Sequence, residues 1–201
     1  MVVESDSLLD DSSCGAAPLP QEADRVRLDV PRTDDLADIV FLANNQRIAA
    51  NLLKMPHPFG LDDARAIVAK AEMSSRNTAT FAIRLKSTGR CIGIARYASV
   101  EAEETVHIGY WIGEPFWGQG LATEAVHALI DHAFTHGSME RLTATCRVTN
   151  AASRKVLVKS GFQFRDQSMI RSVGAGGSVP IERYNLDRSV WSTLKQWGRT
   201  A

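Results

Sequence analysis

The chain has 201 residues, 44% of them hydrophobic, and its 23 Lys and Arg balance 23 Asp and Glu, the composition of an ordinary globular domain rather than a disordered or fibrous chain. Three widely spaced cysteines, Cys14, Cys91 and Cys146, with no C-x-x-C pair, exclude a disulfide framework and a zinc-binding pattern. No stretch of about 18 apolar residues suggests a membrane span, and no basic start leads into an apolar core as in a signal peptide, so a soluble protein of the reducing cytoplasm, without a membrane partner, is expected.

The first 24 residues contain six acidic residues and no Lys or Arg, which leaves a net +6 on residues 25–201. An excess of this size suits an anionic small ligand but lacks the clustered Lys and Arg of a nucleic-acid surface. The plainer reading is charge scattered over a solvated exterior.

Residues 1–22 are rich in Ser, Asp, Pro and Ala and poor in bulky apolar side chains. Too little surface is available to offset the entropy of ordering, so a flexible leader is expected there, followed by one domain over 23–201. Val26, Leu28 and Val30 alternate with polar residues as in a half-buried strand. A helix capped near Thr33 then carries Leu36, Ile39, Val40 and Ala43, and a second spans about Asp62 to Met73. Between them the loop at 51–60 holds Met55, His57 and Phe59, which either line a pocket or seal the edge of the core.

Strands at about 80–86 and 91–99 form a hairpin through Ser87 to Gly89, and "TVHIGYWIG" supplies a third antiparallel strand after an acidic turn at Glu101 to Glu104. From Leu121 a helical face runs through Ala125, Ala128, Leu129, Ala133 and Phe134 and stops at Gly137. "RLTATCRV" alternates as a strand, so strand, helix and strand here imply a parallel crossover. A short helix over 151–160, two strands flanking "GAGG" and a terminal helix "RSVWSTLKQW" complete the chain. The expected fold is α/β: a mixed, mostly antiparallel sheet of about seven strands flanked by helices.

The turn in "WGQGLATEA" opens the central helix. Backbone N–H groups at a helix N-terminus attract phosphate oxygens. Yet the turn lacks the Lys-Ser/Thr of a P-loop and the spacing of a Rossmann fingerprint, and alone it reads equally as a structural turn. A nucleoside-phosphate domain using this "GQG" is disfavoured by the antiparallel meander before it.

Three motifs in order, "HIGYWIG", "WGQGLATEA" and "NAASRKVLVKSGF", together resemble the GNAT acyltransferase superfamily, and within it the RimJ/RimL-like branch, over about residues 24–190. The resemblance implies a phosphate cradle for coenzyme A at Gly118, Gln119, Gly120, Leu121, Ala122 and Thr123, with Trp117 standing where relatives carry Gln or Arg. It implies a splayed pair of parallel strands at Tyr110, Trp111 and Ile112 that admits the pantetheine arm, where a backbone N–H polarises the thioester carbonyl. Asn150 matches the asparagine that bonds this arm, and Ser153 a serine near the sulfur.

The resemblance thus implies acetyl-CoA as cofactor, no metal, and an amine acceptor that is either a protein N-terminus or a small molecule. His107 stands where many relatives place a glutamate base, and it acts as base or only packs at the sheet face. The tyrosine acid of other relatives falls at Leu157, which leaves Ser153 as acid or as cofactor contact. His57, His127, His132 and His136 read as surface or packing residues. The alternative function is a non-catalytic acyl-CoA sensor of the same fold, and size and class suit a homodimer.

Overall fold

The computed structural model describes residues 20–100 and 105–197. Eight strands form one sheet in the order β1-β2-β3-β4-β5-β6-β8-β7. They are β1 (Gln21–Glu22), β2 (Val26–Asp29), β3 (Ala79–Leu85), β4 (Cys91–Val100), β5 (Thr105–Ile112), β6 (Arg141–Arg147), β7 (Gln163–Ser172) and β8 (Gly177–Asp187). Every neighbouring pair is antiparallel except β5 and β6, as the helical crossover between them requires.

The eighth strand comes from the segment expected to be a flexible leader. A turn bonded from Ala23 N–H to the Val26 carbonyl folds the chain back. Gln21 and Glu22 then pair with Leu28 and Arg27, and Lys86 holds Glu22 at 2.8 Å. The rest of that segment, with Cys14, lies outside the described residues, as does the acidic turn at 101–104.

Helices α1 (Leu36–Ala43), α2 (Gln46–Ala49) and α3 (Leu61–Glu72) cover one face, burying Ile39, Leu42, Ile48 and Ala64 against Ala82, Ile94 and Trp111. Helix α1 begins after a 3-10 turn, Thr33–Asp35. Met55 and Phe59 are buried in this layer while His57 is exposed. The loop at 51–60 therefore seals the core edge with its apolar side chains, the second of its two expected roles.

The opposite face carries the larger core. Helix α4 (Leu121–His136) buries Leu121, Ala125, Ala128, Leu129 and Ala133 on one side, the spacing its sequence shows, against Ile108 and Leu142. Helix α5 (Ala151–Lys159) adds Leu157, and α6 (Arg188–Trp197) packs Trp191 on Phe134 with ring centroids 5.2 Å apart.

Candidate active site

The parallel ladder between β5 and β6 runs only from Val106 and Leu142 to Ile108 and Ala144. Beyond it β5 stays paired with β4 as far as Ile112, and β6 stays paired with β8 as far as Arg147. The two strands therefore part at their C-terminal ends, and Gly109–Ile112 faces Thr145–Arg147 across a gap with no ladder. Each backbone edge there retains hydrogen-bonding capacity that an extended ligand arm can fill.

The gap leads into the turn before α4. Trp117 donates its indole N–H to the Ile112 carbonyl at 2.7 Å, and the Arg47 guanidinium lies 5.1 Å from its ring centroid. Trp117 thus ties the turn to the end of β5. Gly118 and Gly120 adopt φ of 74° and 81°, left-handed backbone that glycine enters without steric cost.

This conformation leaves the N–H groups of residues 118–123 without an acceptor among the described residues, the first bond being Glu124 N–H to the Gly120 carbonyl at 3.2 Å. No side chain caps the helix. Six amides without an acceptor at the positive end of a 16-residue helix fit a pyrophosphate. Leu121 contributes only its amide, since its side chain is buried in the core, and the Gln119 side chain bonds the Pro115 carbonyl.

Arg25 braces this cradle, and nothing local in the sequence marks it. Its main-chain N–H and its guanidinium both bind the Glu124 carboxylate, at 2.5 and 3.0 Å, and its Nη1 donates to the Gln119 carbonyl at 3.0 Å. The one carboxylate in the first turn of α4 is thereby neutralised beside an anion site.

Across the gap, alternation along the strands divides the side chains between two faces. On the α4 face the Tyr110 hydroxyl meets the Ser153 hydroxyl at 3.0 Å, and burial pushes the Tyr110 phenol up to about 12. Asn150 caps α5 by accepting from Ser153 N–H at 3.0 Å, and its Nδ2 has no partner among the described residues. Leu157 is buried in the core, so no acid stands at that position. Trp111 points to the other face and is buried in the α1–α3 layer, leaving its backbone alone at the gap.

His107 also lies on the α1–α3 face, where its Nδ1 is 3.2 Å from the Thr143 hydroxyl. That hydroxyl donates to the Val106 carbonyl at 3.5 Å, so its lone pair takes Nδ1–H and leaves Nε2 as the free acceptor. Burial, then the charges of Arg96 and Lys54, lower the His107 pKa to about 4. The recess and its cations thus hold the ring neutral. His107 and Ser153 flank the gap from opposite sides of the sheet.

A parted parallel pair running into a glycine turn with free amides, inside a mixed sheet layered by helices, defines an α/β domain shaped for an extended ligand arm that ends in phosphate. The chain matches the family described as "Acetyltransferase (GNAT) domain" over residues 25–163 and belongs to it. It is 38% identical over 72 residues to the ribosomal-protein-serine acetyltransferase of Escherichia coli K12, a match spanning 35% of this chain and 40% of that protein. The chain thus spans less than half the length of that curated relative.

Among solved structures, Mycobacterium smegmatis RimJ in complex with CoA-disulfide superposes with a TM-score of 0.75 at 22% identity, covering 90% of this chain and 96% of the other. The microcin C7 self-immunity acetyltransferase MccE, in complex with acetyl-CoA and AMP, superposes with a TM-score of 0.70 at 21% identity, covering 82% and 93%. These likenesses carry the fold, and together with the curated relative they place the chain beside the RimJ/RimL-like branch.

Proposed function

We propose that the protein is an acetyl-CoA-dependent N-acetyltransferase that passes an acetyl group to a primary amine by direct attack in a ternary complex, within one domain of residues 23–201 acting in the cytoplasm. The observation that carries this reading is the continuous path from free amides at 118–123 to the gap between β5 and β6, with different chemistry on its two faces. Acetyl-CoA supplies an activated acetyl group on a thioester.

The chain's own residues supply the rest. Amides 118–123 hold the pyrophosphate, and Asn150 Nδ2 with the edge of 109–112 takes the pantetheine arm. The Tyr110 and Ser153 hydroxyls, adjacent on the α4 face, hydrogen-bond the departing thiolate and relay to it the proton that the attacking amine sheds, because a phenol raised to about 12 is too weak an acid to give up its own proton to a thiolate of ordinary pKa about 8.5. On the other face His107 Nε2 accepts a hydrogen bond from the amine or from a water beside it. Because its pKa lies near 4, the ring orients the amine more than it deprotonates it.

That weak base favours one second reading, an acyl-CoA sensor without turnover. Acetyl-CoA, but not ATP or NAD, raises the melting temperature under both readings. Release of free thiol from acetyl-CoA with a panel of amines separates them: thiol release supports the enzyme, and its absence with every amine supports the sensor.

A further inference from the structure

The α1–α3 face of the gap is cationic, and one of its cations, Arg96, has no partner among the described residues. Arg96 stands opposite Gly109 in the β4–β5 ladder, and Gly109 is the first residue of β5 beyond the last pair with β6. The side chain of Arg96 thus rises at the level where the strands part, on the same face as His107. It makes no ion pair and no hydrogen bond with any described residue, although most arginines of the domain do. It is accessible to solvent, yet surrounding protein lowers its pKa, the signature of a cation in a recess rather than on a convex surface.

Lys54 reaches the same recess, since Arg96 lowers its pKa too, with Lys70 beyond it. The wall is built by chain contacts. Arg147 on β6 donates to the Ala50 carbonyl at 2.7 Å, and Val173 N–H to the Leu53 carbonyl at 2.8 Å. Gly174 lies so close to Ala49 that a Cβ would meet its carbonyl oxygen at 2.1 Å. No carboxylate of a described residue pairs with Arg96: Asp166 is engaged by Arg165 and Arg183, and Glu114 by Arg47.

A guanidinium at the level where the strands part, without an anion of its own, is an open donor, and its planar fork selects carboxylate or phosphate. We propose that the amine acceptor carries an anionic group, carboxylate or phosphate, within one or two residues' length of its amine, and that Arg96 receives it. The inference rests on the acetyltransferase reading. It also says which amines are refused: a polyamine or aminoglycoside brings a second ammonium against Arg96. The same positive field favours the neutral form of the bound amine, the nucleophilic form, beside a histidine too weak to generate it.

The test measures thiol release from acetyl-CoA with matched acceptors. Peptides beginning Ala-Asp and Ala-Asn form one pair, alanine and alaninamide the other, and spermidine is the cationic control. The acidic member of at least one pair should be preferred about tenfold or more in kcat/KM, as a charge-assisted contact supplies. The pair that responds tells an acidic N-terminus from a free amino acid.

Arg96→Gln should collapse that ratio toward one while the melting-temperature rise with acetyl-CoA stays as in the native protein, and Arg96→Lys should retain part of it. Turnover at equal rates on both members of both pairs, preference for spermidine, or a ratio that survives Arg96→Gln overturns this inference alone. Binding of acetyl-CoA without turnover on any acceptor overturns the acetyltransferase reading and this inference with it.

Discussion

Individual side chains in this protein act through what they are denied. His107 is denied full solvation and lies beside the charges of Arg96 and Lys54, so it is neutral throughout the physiological range with a pKa near 4. kcat/KM should therefore rise with the acceptor's own amine pKa and show no inflection near 6.5. His107→Ala should lower kcat while leaving the limb between pH 6 and 9 in place. An inflection near 6.5 that vanishes in the variant would show an imidazole titrating as in water. On the other face, Tyr110→Phe should lower kcat by about 100-fold or more if the hydroxyl pair relays a proton to the thiolate, with the acetyl-CoA melting shift retained. Elsewhere the buried Arg84 holds Asp29 at 2.5 Å and Asp35 at 2.6 Å. Removing the cation strands two buried carboxylates, so Arg84→Met should cost about 3–5 kcal/mol in urea denaturation.

At the level of elements, the turn before α4 shows how a phosphate site is built from a helix start and a distant arginine. Gly120 has a left-handed φ, and a Cβ there would lie 3.4 Å from the Arg25 guanidinium. Gly120→Asp adds both strain and an anion, and acetyl-CoA affinity measured by calorimetry should fall at least tenfold; unchanged affinity would refute the cradle. Arg25→Gln frees the Glu124 carboxylate beside the same amides and should weaken binding severalfold, more at low salt than at high. Most of this architecture is legible in the chain, because β-rich runs bounded by turn residues mark β3 to β6 and a period of 3.6 marks α4. Helix α2 and strand β1 were not, being four and two residues long, too short to display a period. The glycine turn, Asn150 and the parted strands were legible as a set of motifs. Arg25 and Arg96 were not, because a lone arginine in an alternating strand reads as an outward-facing residue until the fold shows what lies beside it.

For the whole molecule, the burial of histidine that disarms one ring as a base also sets the acid limit of the fold. His132 on α4 is packed between the Tyr97 hydroxyl, 3.1 Å from its Nδ1, and the Phe81 and His136 rings. It is 4% exposed, and burial followed by the neighbouring His136 lowers its pKa from 6.5 to about 4. The folded protein thus holds this ring neutral where the unfolded chain binds a proton, so stability is full above pH 6.5 and falls as the pH drops toward 4. At pH 5 the loss from this one group is roughly 2 kcal/mol, a fall in melting temperature of about 4–8 °C for a domain of this size. The half-buried His107, depressed in the same direction, adds to the same slope. Thermal melts between pH 7 and 5 check the effect, and His132→Phe separates it from general acid sensitivity. The variant should melt lower at pH 7, because the Tyr97 hydroxyl loses its partner, and yet lose less on going to pH 5. A slope as steep in His132→Phe as in the native protein would place the acid limit in other groups.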